Sequence, residues 1–375
     1  MKQKLILCAI FLVLILLIPC LALGGTVTSE HQPAKPSSTP SVISDIVSAV
    51  TNTPPQATPS APSSDGQPLY AVLAEIPGYL SDTVVPKFLQ AANPNVFHVL
   101  DESSGKVLSV SDKEFLYGAI VTEMPPTYEP EALKAQAVAA YTYYSTLREQ
   151  QKKKPSPQLN GADFTVNTEQ WHIYTTKEQM QKRWGKNFDF YYEKLTKVVN
   201  EVYGKTLQYD GQLITATYYA ISSGQTEDAA DIWGGSRDYL VPVASPGDVY
   251  ADGYQTSVVL TEDELKTKAL AKWPSCDFSA SPDTWLAEIS RTQSGSVSKM
   301  KIGGVECKGG DVRTALGLRS AHFTWDYRDG TFTFTVKGYG HGVGMSQVGA
   351  QYMAQHGSSY QQILSWYYPK SQLTS

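Results

Sequence analysis

Three short segments carry residue types that could do chemistry. Glu123-Met124-Pro125-Pro126 sets a carboxyl beside a methionine and two prolines. A stiff apolar turn of that kind raises a carboxyl pKa and keeps the group protonated, which is what a general acid requires. A solvated surface carboxylate is the other reading, and the commoner use of a lone glutamate. Ser222-Ser223-Gly224-Gln225-Thr226-Glu227 is rich in small hydroxyl residues, which suit either a polar ligand or a plain turn. Gly338-Tyr339-Gly340-His341-Gly342-Val343-Gly344-Met345-Ser346-Gln347 alternates glycines with functional side chains and then enters a predicted helix. Glycine permits positive φ and close ligand approach, while His341 and Gln347 offer donors and acceptors. No lysine follows at P-loop spacing and no acid stands at the dinucleotide-binding distance, so a nucleotide loop is excluded.

Such segments need elements to hold them. Val96–Leu100 and Lys106–Val110, joined through Asp101–Gly105, read as a β-hairpin. Glu129-Pro130-Glu131 has the signature of a helix start. Leu133, Ala137, Ala140, Tyr144 and Leu147 then make one apolar face, and Lys152-Lys153-Lys154 before Pro155 ends the helix. A second, aromatic-rich helix is predicted over Phe188–Val202. Asp210-Gly211 between Thr206–Tyr209 and Gln212–Tyr219 predicts a two-residue hairpin. A strand over Thr331–Val336 leads into the glycine-rich loop. Met345–Gln355 reads as a helix ended by Gly357, and a last short helix precedes Pro369. Strands and helices are segregated, which predicts an α+β fold with antiparallel or mixed sheet elements packed with helices.

The N-terminus has another character. Lys2 and Lys4 precede an uncharged apolar run from Leu5 to Leu23, the layout of an export signal, and its length matches the roughly 17–25 residues of a membrane-spanning helix. Residues 1–24 are therefore expected to be an anchor with the rest of the chain outside, or a cleaved signal of a secreted protein. Residues 25–68, rich in Pro, Ser, Thr and Ala, are expected to be a disordered linker. Residues 69–375 remain for one large domain. Cys276 and Cys307 are the cysteines outside the apolar run; a disulfide and two free thiols both fit. No cysteine cluster has metal-ligand spacing, and a net charge of −5 gives no basic footprint for nucleic acid.

Taken together, Glu123-Met124-Pro125, the run Glu131–Ala140 and Gly340–Gln347 resemble the signatures of the stage II sporulation protein D family. Ser222–Glu227, Ile232-Trp233, Val312-Arg313, Leu318-Arg319-Ser320 and Tyr367-Tyr368-Pro369 are similar too, so the resemblance covers nearly all of Val96–Pro369. It implies a lytic transglycosylase that cleaves the bond between N-acetylmuramic acid and N-acetylglucosamine in peptidoglycan, leaving 1,6-anhydro ends. It further implies denuded glycan as substrate and engulfment of the forespore as setting. The resemblance also implies a single-pass anchor in the mother-cell membrane, with the catalytic domain facing the septal space. Implied partners are a cell-wall amidase and the membrane proteins of an engulfment complex. The catalytic glutamate falls on Glu123, and substrate contacts are expected from Gln136, Tyr141, Ser222, Ser223, Tyr339, His341, Ser346 and Gln347. Tyr143, Tyr218 and Tyr339 suit the lining of a sugar groove, or a half-buried core equally well.

The sequence departs from the family in places. Tyr141 stands where an arginine is usual, and Tyr219 where a histidine is. Some relatives bind zinc in the stretch corresponding to Phe164–Tyr174; only His172 is present here, so neither metal nor cofactor is expected. A second class of relatives, the amidase enhancers, keeps open a glycan-binding protein or scaffold that does not cut.

Overall fold

The computed structural model describes residues 95–170 and 172–375. The expected anchor, the linker and the start of the expected domain, through residue 94, lie outside the described residues. Among the described residues no helix is long and apolar enough to cross a membrane.

The first hairpin forms as its alternation predicts. β1 (Val96–Asp101) and β2 (Lys106–Ser111) run antiparallel with Val96 opposite Ser111, and β3 (Phe164–Val166) joins β1 in parallel. Between β2 and β3 come the two helices that flank Glu123. α1 (Asp112–Glu123) starts directly from β2, capped by Ser111, whose hydroxyl accepts from the Glu114 amide. No clear helical period marks this stretch, because Phe115, Leu116, Ala119, Ile120 and Val121 are all buried and Glu114 alone is exposed. Gly118 lets α1 approach the chain at Tyr174-Thr175: a Cβ there would lie 2.4 Å from the Thr175 carbonyl oxygen. Thus Glu123 ends a helix, where a stiff turn was expected, and the prolines after Met124 explain the stop.

α2 (Pro130–Lys153) has the predicted limits, with proline in its first turn and lysines in its last. Its alanines Ala132, Ala135, Ala137, Ala139 and Ala140 are fully buried, which brings neighbouring backbones close. α3 (Lys177–Trp184) and α4 (Phe188–Val202) come next, the first held by a Thr176/Gln179 capping box. The surrounding core is aromatic: Phe115 meets Phe97 at 5.2 Å, Tyr144 at 4.9 Å and Tyr174 at 5.6 Å between ring centroids. Burying each such ring stabilises the fold by about 1.5–3 kcal/mol.

β4 (Thr206–Tyr209) and β5 (Gln212–Leu213) turn at Asp210-Gly211, both with positive φ, as the hairpin signal requires. The second arm stops at Leu213, short of the expected Tyr219. The chain instead crosses α2, where the Thr146 hydroxyl donates to the Ile214 carbonyl at 2.9 Å. It then forms β6 (Tyr218–Tyr219), which belongs to another sheet. After the short α5 (Ala229–Trp233), a second hydrophobic core is built from a long excursion. Here β7 (Gln255–Thr261), α6 (Glu262–Lys272), β8 (Leu286–Arg291), β9 (Val297–Ile302), β10 (Val305–Lys308), α7 (Gly309–Leu316), β11 (Phe323–Arg328) and β12 (Thr331–Lys337) form the sheets β10-β9-β8 and β11-β12-β7. Cys276 and Cys307 are buried in this core as free thiols.

The glycine-rich loop brings the chain back to the first core. β13 (Met345–Ser346) pairs in parallel with β6, Met345 opposite Tyr218 and Ser346 opposite Tyr219. The helix predicted after the loop therefore loses its first two residues to a strand and begins as α8 (Gln347–Gln355). α9 (Tyr360–Tyr367) and β14 (Gln372–Thr374), the latter paired with β4, complete an α+β fold.

Candidate functional site

Three chain segments converge on Glu123. It is the last residue of α1, so its carboxyl sits at the negative end of the helix dipole, which disfavours a second negative charge. Met124 behind it is extended and buried, so the turn is fixed. The β6–β13 pairing delivers Gln347 one residue past Ser346, and its side-chain amide donates to Glu123 Oε2 at 2.9 Å. One helical turn on, the Gln351 side-chain oxygen accepts from the Glu129 amide at 2.7 Å. A single helix, α8, thereby holds both the end of α1 and the start of α2.

Burial pushes the Glu123 carboxyl above its ordinary pKa, with the hydrogen bond from the Gln347 amide pulling the other way. The hydroxyls of Tyr144 and Tyr218 neighbour each other and lie within electrostatic reach of Glu123. Among the described residues no donor reaches Glu123 Oε1. A carboxyl whose charged form is disfavoured by burial is thus presented beside two tyrosines, a geometry suited to protonating a leaving oxygen.

The glycine-rich loop lies flat on β6. Gly344 has φ +83°, and a Cβ there would fall 2.0 Å from the Thr217 carbonyl oxygen; at Gly340, with φ +122°, it would fall 2.6 Å from Tyr219 Cβ. His341 accepts at Nδ1 from the Val343 amide at 3.1 Å, and the Tyr218 backbone lies close enough to act on its ring. Burial, reinforced by the field of Arg313, pushes its pKa down to about 4, so it is neutral at neutral pH. Its ring stands between Tyr219, at 5.4 Å, and the exposed Trp233, at 5.0 Å. His341 therefore fixes β6, and with it Tyr218, rather than carrying a proton.

The two serines named by the sequence turn inward. Ser222 and Ser346 donate through Oγ to the fully buried Asp248, at 2.8 and 2.5 Å, and the Ser222 amide adds a bond of 3.1 Å. Ser245 donates to the same carboxylate and pairs with the Tyr367 hydroxyl at 2.6 Å. Ser346 also caps α8, accepting from the Gly349 amide at 3.2 Å. Ser223 is half-buried, its carbonyl accepting from the Tyr254 hydroxyl at 2.9 Å. Tyr339 is half-buried beneath Arg319, 4.3 Å from ring centroid to guanidinium. Gln136 is completely buried in α2 with no partner on its side-chain amide. Tyr141 lies apart, donating to the buried Asp112 at 2.9 Å beside Tyr203 at 2.6 Å; burial and that carboxylate push its pKa to about 12. The residue in place of the usual arginine thus ties α2 to the start of α1.

Glu123, Gln347 and Tyr218 are brought together, with His341 and the loop directly behind them. Asp248 and Tyr144 had no local signal, since only long-range pairing gives them their places. Among the described residues no group of three or more His, Cys, Asp or Glu side chains is arranged to hold a metal ion.

Comparison with known proteins gives independent findings. The family described as Stage II sporulation protein matches residues 101–209. The chain is 34% identical to Stage II sporulation protein D of Bacillus subtilis (strain 168) over 283 residues, 76% of this chain and 80% of the relative. It is 36% identical to Stage II sporulation protein D of Bacillus amyloliquefaciens over 266 residues, covering 71% and 75%. The Amidase enhancer of Bacillus subtilis (strain 168) is 28% identical over 311 residues, 69% of this chain but 40% of that protein.

Proposed function

Since the chain belongs to the stage II sporulation protein D family, we propose that it is a lytic transglycosylase of peptidoglycan, with Glu123 as the proton-transfer group. The observation that carries this reading is the Glu123 carboxyl: raised by burial and held on one oxygen by Gln347, with no donor among the described residues on the other. In the first half of the reaction, Glu123 gives its proton to the glycosidic oxygen as the bond to the muramyl anomeric carbon breaks. The carboxylate so formed takes the proton of the same sugar's 6-hydroxyl, whose oxygen attacks the anomeric carbon and closes a 1,6-anhydro ring. Glu123 ends protonated, and no water is consumed.

One acid suffices because the nucleophile is tethered, and intramolecular attack reaches very high effective concentrations. Hydrolysis ordinarily needs two carboxyls, the second to activate water or attack. In this reading Tyr218 and Tyr144 line the sugar site, Gln347 orients the acid, and Ser222, Ser346 and Tyr141 support it from behind. The setting is drawn from the relatives' names and the sequence layout: sporulation, a membrane-held chain with its enzyme outside, and an amidase as partner in wall breakdown.

The likeness to an Amidase enhancer favours a second reading, a glycan binder that assists another wall enzyme without cutting. Glu123→Gln separates the two. Under the first reading its turnover falls by at least roughly 10²-fold while glycan binding persists; a protein that turns over no glycan, with or without Glu123, is the binder.

A further inference from the structure

Two arginines beside the glycine-rich loop have no acidic partner among the described residues. Arg313, near the end of α7, and Arg319, just beyond it, are both half-buried, and desolvation disfavours the charge of each. Arg319 stacks on Tyr339 at 4.3 Å and its Nε is buried without a hydrogen-bond partner. Gly253 makes room for it, since a Cβ there would lie 2.6 Å from Arg319 Nη1. Its carbonyl accepts from the Gly340 amide at 3.0 Å, which locks it to the loop. Arg313 reaches the same tyrosine electrostatically and also acts on His341. Among the described residues neither guanidinium forms an ion pair, although the chain carries more acids than bases. Half-buried guanidiniums left unpaired are costly unless something anionic completes them.

A second observation lies next to them. Trp233 is 46% exposed, and its ring is held against His341, 5.0 Å away. An exposed, fixed indole is a surface on which a sugar face can pack, and here it rests on His341 of the loop to which Arg319 is bonded and on which the charge of Arg313 acts. Nothing else in a polymer of acetylated hexosamines is anionic except the lactyl group of muramic acid, and that group is a carboxylate only when no peptide is joined to it. When a peptide is attached, the same position is a neutral amide.

We propose that Arg313 and Arg319, with the Trp233 ring, form a subsite for a muramic acid unit whose lactyl group is a free carboxylate. The guanidinium forks suit a carboxylate's two oxygens, as an ammonium would not. The subsite rests on the glycan-cutting reading for its ligand. It deepens that reading by locating where the enzyme distinguishes bare from peptide-bearing strands.

The test measures binding of the purified full chain carrying Glu123→Gln to three glycan oligosaccharides. One is peptide-free; the second is peptide-free with its lactyl carboxyls converted to methylamides; the third keeps its stem peptides. Dissociation constants for the first two are expected to differ by roughly tenfold or more, as for loss of a charge-assisted hydrogen bond, and the gap is expected to narrow at high salt. The ratio falls toward one in Arg313→Gln and Arg319→Gln. Equal affinity of the Glu123→Gln chain for the charged and amidated glycans overturns the subsite, whatever the arginine variants do. Tighter binding of the peptide-bearing glycan than of either other one also overturns it, because the arginines would then be reading peptide carboxylates. Turnover by the unmodified protein, measured in parallel, judges the lyase reading separately. Loss of the affinity difference with turnover intact removes the subsite alone, and an affinity difference without turnover removes the lyase alone.

Discussion

Asp248→Ala is the substitution whose effect can be worked out most fully from the geometry. The carboxylate accepts from the Ser222 amide at 3.1 Å, from the Ser222 and Ser346 hydroxyls at 2.8 and 2.5 Å, and from Ser245. Asp248 and all three serines are buried, so water cannot replace what alanine removes. A hydrogen bond to a charged group contributes about 1.5–3 kcal/mol, and an orphaned buried donor costs a similar amount. One hydroxyl can re-pair, Ser245 with Tyr367, whereas Ser222 and Ser346 already accept from the Gly224 and Gly349 amides and their own O–H donors lose the acceptor. The Ser222 amide cannot turn. Allowing for that re-pairing, the loss is about 3–5 kcal/mol, at the upper end for single substitutions. That corresponds to a drop in Tm of roughly 10 °C or more, read by circular dichroism. Asp248→Asn keeps one acceptor and loses less. Because Ser346 caps the helix that begins with Gln347, turnover should fall with stability in the same order, wild type above asparagine above alanine. An alanine variant within about 1 kcal/mol of wild type would refute the claim that this carboxylate ties Ser222 and α8 together.

Other outcomes rest on the same geometry. Gly344→Ala puts a Cβ 2.0 Å from the Thr217 carbonyl at φ +83°; strain and overpacking together should cost about 2–4 kcal/mol in urea unfolding, and wild-type stability would mean that the loop is not seated on β6 through this glycine. Tyr218→Phe deletes a hydroxyl partner near Glu123 and should lower kcat about fivefold with KM little changed, whereas an unaltered kcat would place that hydroxyl outside the reaction. Turnover should fall as pH rises through the raised Glu123 pKa, since the acid must be protonated; a rate that climbs across that range contradicts its role. His341 has its pKa lowered from 6.5 to about 4, so the unfolded chain binds its proton first. Stability is then full above pH 6.5 and declines by up to about 3 kcal/mol as pH falls toward 4, a slope that urea titrations should find flattened in His341→Gln.

Much of the fold was legible in the sequence where pattern and punctuation agreed. α2 announced itself through proline at its start, lysines at its end and an alanine face, and Asp210-Gly211 marked its hairpin. α1 was hidden because helices buried on all sides have no period to read, and with it went the true place of Glu123 at a helix end. The glycine-rich loop and Glu123 were visible as unusual residues. Their meeting was not, because it depends on a two-residue parallel pairing, Tyr218 with Met345, that leaves no trace in local pattern. Asp248 illustrates the same limit: an aspartate after Pro246-Gly247 looks like a turn residue until the distant Ser222 and Ser346 converge on it beside its neighbour Ser245. Of the second core only the strand over Thr331–Val336 was read, and nothing in its local pattern says that it belongs to a core separate from the first.

At the centre of the proposed mechanism, one acid moves a proton while the sugar closes on itself. End-group mass spectrometry of peptide-free glycan digested in heavy-oxygen water tests that step. The expected products are 1,6-anhydromuramic ends that carry no oxygen from solvent, with none of them formed by Glu123→Gln. Reducing ends that incorporate the heavy oxygen would contradict the single-acid route, because water would then be the nucleophile and a second carboxylate would have to activate it.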